Sequence, residues 1–121
     1  MPEATIAALN ILGSNVQTLI AGGLDRGVLY KKLGERIQKS SIKTLILFPE
    51  TGVKIFKAVG NPTFKHIFVD AMQEALDAAF QNTENGKICL LSPAASSFNL
   101  FKDYEDRGNQ FIKYAKEGPR S

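Results

Sequence analysis

The 121-residue chain has one cysteine, one histidine, no tryptophan and no long apolar run. Each scarcity excludes something. With Cys89 alone no internal disulfide can form, and its place inside the run KICLL reads as a small buried hydrophobe rather than a reactive thiol. His66 has no cysteine or second histidine to share a metal ion, so no metal site is expected. No serine stands in a usable context with that histidine, so no catalytic triad is expected either. Nothing approaches the roughly 18 consecutive apolar residues of a membrane helix. The opening MPEATIAALNIL lacks a basic segment ahead of a long apolar one, and no secretory signal is expected. Two nucleotide signatures are missing as well. No GxGxxG follows a strand-like run, and there is no GxxxxGK[S/T] loop.

What is there is ordinary globular material. Hydrophobic residues make up 44% and charged residues 22%, which fits one soluble domain and argues against disorder. The net charge of +3 raises the question of nucleic acid. The lysines, however, are scattered from Lys31 to Lys116 with acids among them, and no zinc-finger spacing or RNP-like strand accompanies them. Neither nucleic acid nor a membrane is expected as a partner. A modest anion-attracting surface is what remains.

Along the chain, apolar runs alternate with helical patterns. Pro2 and Glu3 suit a helix start, and Ile6, Leu9 and Leu12 carry it to Gly13-Ser14-Asn15. VQTLIA (16–21) reads as a strand, followed by the turn GGLDRG and a helix over 28–39. TLILF (44–48) is a strong apolar strand. Pro49 and Glu50 then open a helix that closes at Gly60-Asn61-Pro62. HIFV (66–69) is the third strand, and Asp70 caps a helix through Met72, Ala75, Leu76, Ala79 and Phe80. A turn over 82–86 leads to a fourth strand at 87–91. After the SPAASS loop, a final helix carries Phe98, Phe101, Tyr104, Phe111, Tyr114 and Ala115, with Gly118 and Pro119 to stop it. One helix followed by four βα units predicts an α/β, Rossmann-like three-layer domain with a mostly parallel central sheet. In such folds ligands bind beyond the C-terminal ends of the strands.

The two unusual motifs fall at such ends. Gly22 and Gly23 allow a sharp turn and a close approach of backbone to ligand. Asp25 and Arg26 follow, and the guanidinium fork suits a carboxylate or phosphate. A local Asp25–Arg26 pair, or a cap on the next helix, explains the same residues without a ligand. Pro93 stiffens the second motif. The hydroxyls of Ser92, Ser96 and Ser97, with the amides of a helix start, make a second anion seat. Plain N-capping by Ser96 or Ser97 is the alternative. Tyr104 faces either the ligand or the core. Glu50 and Asp70 read as first-turn acids beside helix N-termini.

The stretches TLIAGGLDRG and LLSPAASSFNLFKDYEDRGNQFIKYAK, with the opening PEATIAALN, resemble the C-terminal domain of the Mur ligase family, in its D-glutamate-adding branch. The resemblance runs in order over practically the whole chain. It implies a cytoplasmic, peptidoglycan-building ligase of three domains. The first holds UDP-N-acetylmuramoyl-L-alanine. The central domain uses ATP and Mg2+ to phosphorylate that substrate's carboxylate. The third brings in D-glutamate, whose amine attacks the acyl phosphate. By the same resemblance Arg26 lies near the side-chain carboxylate of D-glutamate, Ser97 and Phe98 contact that ligand, and Tyr104 packs beside it. Ala95 stands where the family often has Cys or Asn, and Ser96 where it often has Ala, so either serine is open as the contact. A stretch of this size is expected to be the third domain alone, held in cis against the ATPase domain and not catalytic by itself. The alternative is a free-standing α/β anion-binding or protein-interaction module.

Overall fold

A computed structural model of the chain describes residues 2–23, 27, 29–60 and 64–91. Four strands, β1 (Val16–Gly23), β2 (Thr44–Glu50), β3 (Lys65–Phe68) and β4 (Ile88–Leu91), form one sheet in the order β3-β2-β1-β4. Every pairing is parallel. The helices are α1 (Pro2–Leu12), α2 (Lys31–Gln38), α3 (Thr51–Val59) and α4 (Met72–Asn82).

Side chains alternate between the faces of a strand. Leu19 and Ala21 of β1 and Leu45 and Leu47 of β2 share one face, where they meet Leu9 of α1, Leu33 and Ile37 of α2 and Ile55 and Val59 of α3. Ile20, Ile46 and Phe48 occupy the other face, against Met72, Ala75, Leu76 and Ala79 of α4. The result is the expected three-layer α/β architecture. Burial on both faces explains why TLILF and VQTLIA are apolar in succession rather than alternating. Each fully buried leucine or isoleucine here stabilises the fold by roughly 1.5–3 kcal/mol. Gly34 lets α2 and α3 touch. A Cβ there would overlap the Ala58 carbonyl on α3.

The chain advances from β1 to β2 to β3 with α2 and α3 on one face. It then crosses back to lay β4 on the far side of β1, with α4 on the opposite face. Right-handed crossovers require this, because reversing direction moves the connecting helix to the other face. The reversal makes a topological switch point between β1 and β4, where open α/β sheets bind their ligands.

Several local expectations are corrected. Gly22 and Gly23 are the last residues of β1, not the start of its turn. Pro49 and Glu50 end β2, and α3 begins at Thr51. Glu50 therefore precedes the first helical turn, where it was expected to belong. The cap position of α4 is Ala71, in extended conformation and with no side-chain cap bond, so Asp70 does not cap that helix. The helix expected over 28–39 runs from Lys31 to Gln38, with Tyr30 at its N-terminal boundary.

Candidate functional site

The C-terminal edge of the sheet is built around a close approach of two backbones. Gly22 pairs with Phe48, and an added Cβ at Gly22 would lie 2.5 Å from the Phe48 carbonyl oxygen and 2.8 Å from its nitrogen. Gly22 and Gly23 have φ of 118° and 136°, in the region that disfavours any residue with a Cβ. Here the glycines are required by shape. They bring β1 against β2 and aim the chain at its exit from the sheet.

The partner strand is irregular at the same level. The register runs Gly22↔Phe48 and then Gly23↔Glu50, so Pro49 is passed over. Proline has no N–H for the ladder and is tolerated in a strand at such a bulge. Glu50 then takes φ 43° and ψ −64°, and it is the one non-glycine residue with positive φ among the described residues. That sharp corner turns β2 directly into α3. It delivers Thr51, fully buried, to donate a hydrogen bond from Oγ1 to the carbonyl of Gly23 at 3.1 Å. Thr51 and Phe48 are the positions sequence reading missed. The available signal was FPETG itself, because a proline ending an apolar strand marks a bulge as readily as a helix start.

On the other side of β1 the register places Ile20 opposite Leu91, the last residue of β4. The two strand ends from which GGLDRG and SPAASS depart therefore lie side by side. Gly22 and Gly23 are described and sit at this edge. Asp25, Arg26, Pro93, Ser96, Ser97, Phe98 and Tyr104, with Ser92, lie outside the described residues.

Away from this edge the chemistry is structural. His66 is exposed on β3 and stacks on Phe56 with ring centroids 4.4 Å apart. Among the described residues no three of His, Cys, Asp or Glu come together as metal ligands. Cys89 is half-buried against the α4 face, and burial pushes its thiol up to about 12 from 9.0. It lines a cavity of about 280 Å³ with Leu76, Ala79, Phe80 and the 83–87 turn. Such a thiol is protonated at neutral pH and a poor nucleophile. No described helix is long and apolar enough to cross a membrane. Charge is divided between the faces. α2 and α3 carry Lys31, Lys32, Arg36, Lys54 and Lys57 against a single acid, Glu35, whereas α4 carries Glu74 and Asp77 and no base.

The chain is similar to a domain-sized part of several ligases. A UDP-N-acetylmuramoylalanine–D-glutamate ligase of Lactobacillus helveticus is 39% identical over 102 residues, covering 84% of this chain and 22% of the ligase. The enzyme of the same name in Caldicellulosiruptor bescii is 36% identical over 116 residues, 95% of this chain and 25% of the ligase. That of Pseudomonas fluorescens is 35% identical over 117 residues, 94% of this chain and 26% of the ligase. The chain thus spans about a quarter of the length of these relatives. No family model matches it.

Proposed function

From the premise that this chain belongs to the Mur ligase family, as a domain-sized part of it, we propose that it is the amino-acid-binding C-terminal domain of a ligase that adds D-glutamate to UDP-N-acetylmuramoyl-L-alanine. The observation that carries the proposal is the switch point. β1 and β4 are parallel neighbours, β4 ends at Leu91 opposite Ile20 while β1 runs on to Gly23, and the two motifs that suit an anion follow these neighbouring strands at the same edge of the sheet. A dicarboxylic amino acid needs two such seats. In this reading Arg26 holds the side-chain carboxylate, and Ser97, with the amides of the helix that the sequence predicts after it, holds the other. Ser96 is the neighbouring hydroxyl able to take the same role, and Phe98 and Tyr104 close the apolar side. Asp25 and Pro93 shape the two loops.

The nucleotide chemistry belongs elsewhere in the full-length cytoplasmic ligase. The sequence has no phosphate-binding loop, and among the described residues no three metal-ligating side chains come together, so this reading assigns ATP and Mg2+ to the central domain. This chain's part is to hold D-glutamate so that its amine faces the activated carboxyl carbon on a neighbouring domain. Orientation of this kind converts a bimolecular attack into an effectively unimolecular one. The chain alone is expected to release no phosphate from ATP.

Two measurements test the reading. In the full-length ligase, Arg26→Ala should raise the KM for D-glutamate about 10- to 150-fold, the value of a charge-assisted contact of roughly 1.5–3 kcal/mol. An unchanged KM would place Arg26 in a local pair or cap instead. With the isolated chain, amide spectra should respond to D-glutamate only at millimolar concentrations, because a seat shared with another domain holds its ligand loosely. No response at Gly22, Gly23 or Gly27 up to saturating ligand would sink the proposal.

A further inference from the structure

We propose that Thr51 is a positioning residue, whose hydroxyl fixes the Gly23 carbonyl and thereby the direction in which the chain leaves β1 at the binding edge. The inference rests on the reading of that edge as a D-glutamate seat. It comes from four features that occur together. Pro49 is passed over in the β1–β2 register, which shifts Glu50 opposite Gly23. Glu50 sits at positive φ, an arrangement that a β-strand running into a helix does not need. The corner places Thr51 at zero exposure with its Oγ1 3.1 Å from the Gly23 carbonyl oxygen. Gly23 has φ 136° and no Cβ, so little in its own structure fixes its peptide planes.

The physical consequence is direct. Beyond Gly22, where the backbones touch, the ladder loosens, and the last carbonyl of β1 is tied by a side chain of the next unit. A strained non-glycine residue persists only where its surroundings over-determine it, and such residues gather at ligand-binding edges. The Thr51 bond is the link by which α3, itself packed on the core through Ile55 and Val59, sets the geometry of the β1 exit. Without it, Gly23 would sample several orientations and the following loop would meet its ligand less often in the competent one.

The test is a D-glutamate titration of the isotope-labelled chain, followed by amide shifts, for five proteins: the unchanged chain, Thr51→Val, Thr51→Cys, Thr51→Ser and Arg26→Ala. Thr51→Val removes the donor and keeps the branched shape. Thr51→Cys keeps the size with a much weaker donor, and serves should the valine variant fail to fold. Both should weaken D-glutamate binding about 3- to 10-fold, the scale of one ordinary hydrogen bond. Both should also move the Gly22 and Gly23 amide signals before ligand is added. Thr51→Ser should return affinity to within about twofold, because it restores the hydroxyl. Unchanged affinity in the cysteine or valine variant, beside a weakened Arg26→Ala, overturns the role of Thr51 and leaves the seat standing. Failure of serine to rescue overturns it too, since shape rather than the hydroxyl would then be at work. Unchanged binding in Arg26→Ala strikes instead at the seat.

Discussion

At its N-terminal end the sheet is closed by side chains. Gln17 donates to the Glu84 carboxylate at 3.0 Å and accepts from the Glu84 amide at 2.7 Å. The hydroxyls of Thr18 and Thr83 share a hydrogen bond at 2.6 Å, and Ser41 donates to the Val16 carbonyl at 2.7 Å. At the C-terminal end the same two central strands meet through bare backbone at Gly22, a skipped proline, a residue at positive φ and the Thr51 bond. One end spends its polar side chains on itself. The other accepts an awkward backbone. If the proposed seat lies at the C-terminal edge, stability and binding are divided along the strand axis, and substitutions at the two ends should fail in different ways.

The largest effect belongs to Gly22→Ala. A methyl group 2.5 Å from the Phe48 carbonyl oxygen must part β1 from β2, and φ 118° adds backbone strain. A loss of about 3–5 kcal/mol of unfolding free energy is expected, the sum of overpacking and a disfavoured conformation. Gly13→Ala, just before β1 at the closed end, is the contrast. Gly13 has φ 63° but nothing within 4 Å of an added Cβ, so about 1 kcal/mol is expected. Denaturant unfolding of both variants checks the pair. Equal losses would mean that the close approach at Gly22 relaxes without consequence.

Next in size is a pH effect on the closed half. Cys89 pairs in register with Thr18 and has its thiol raised by burial from 9.0 to about 12. Between those values the unfolded chain sheds the proton while the folded chain keeps it. The contribution is therefore full below about pH 9 and is lost as pH rises towards 12. Relative to Cys89→Ala, whose stability lacks this slope, the unchanged chain should lose on the order of 2–4 kcal/mol across that window. Urea titrations of both proteins at pH 8, 9.5 and 11 measure the difference. Parallel curves would show a thiol with no burial penalty.

The layer architecture was legible in sequence because it depends on periodicity. TLILF and the α4 pattern leave little choice about what is buried, and βα alternation sets the sheet parallel. The switch point was not read from the sequence, since strand order depends on which face each crossover takes. The closed end was not legible. Gln17 and Glu84 are 67 residues apart and carry no local signal. The FPETG corner was misread for a physical reason. Proline followed by an acid satisfies the rules for a helix start and for a strand-ending bulge alike, and only pairing with Gly22 and Gly23 decides between them. Of the candidate site, Gly22 and Gly23 end β1 rather than open its turn, while the other named positions of both loops lie outside the described residues.

A smaller change sharpens the contrast from the closed end. Gln17→Leu removes both bonds to Glu84 and leaves the Glu84 amide without its side-chain acceptor. A loss of about 1–3 kcal/mol is expected. D-glutamate affinity should stay within about twofold of the unchanged chain, a difference of roughly 0.4 kcal/mol. A weakened ligand response with little loss of stability would show that the two ends are coupled and the division is false.

The smallest effect has the opposite sign. Glu50 holds φ 43°, which a residue with a Cβ adopts at a cost of order 1–3 kcal/mol. Glycine takes such angles freely but loses more freedom on folding, by roughly 0.5–1 kcal/mol. Glu50→Gly should therefore exceed Glu50→Ala in unfolding free energy by about 1 kcal/mol. Glu50→Ala is the needed companion, since it also discards the carboxylate yet keeps the Cβ and the strain. The difference between the two variants isolates the backbone from whatever the side chain does. If glycine is no more stable than alanine, the corner is unstrained, and the C-terminal end owes its shape to packing alone. If glycine is more stable but answers D-glutamate more weakly, the strain at Glu50 is what holds Thr51, and through it the exit from β1, in place.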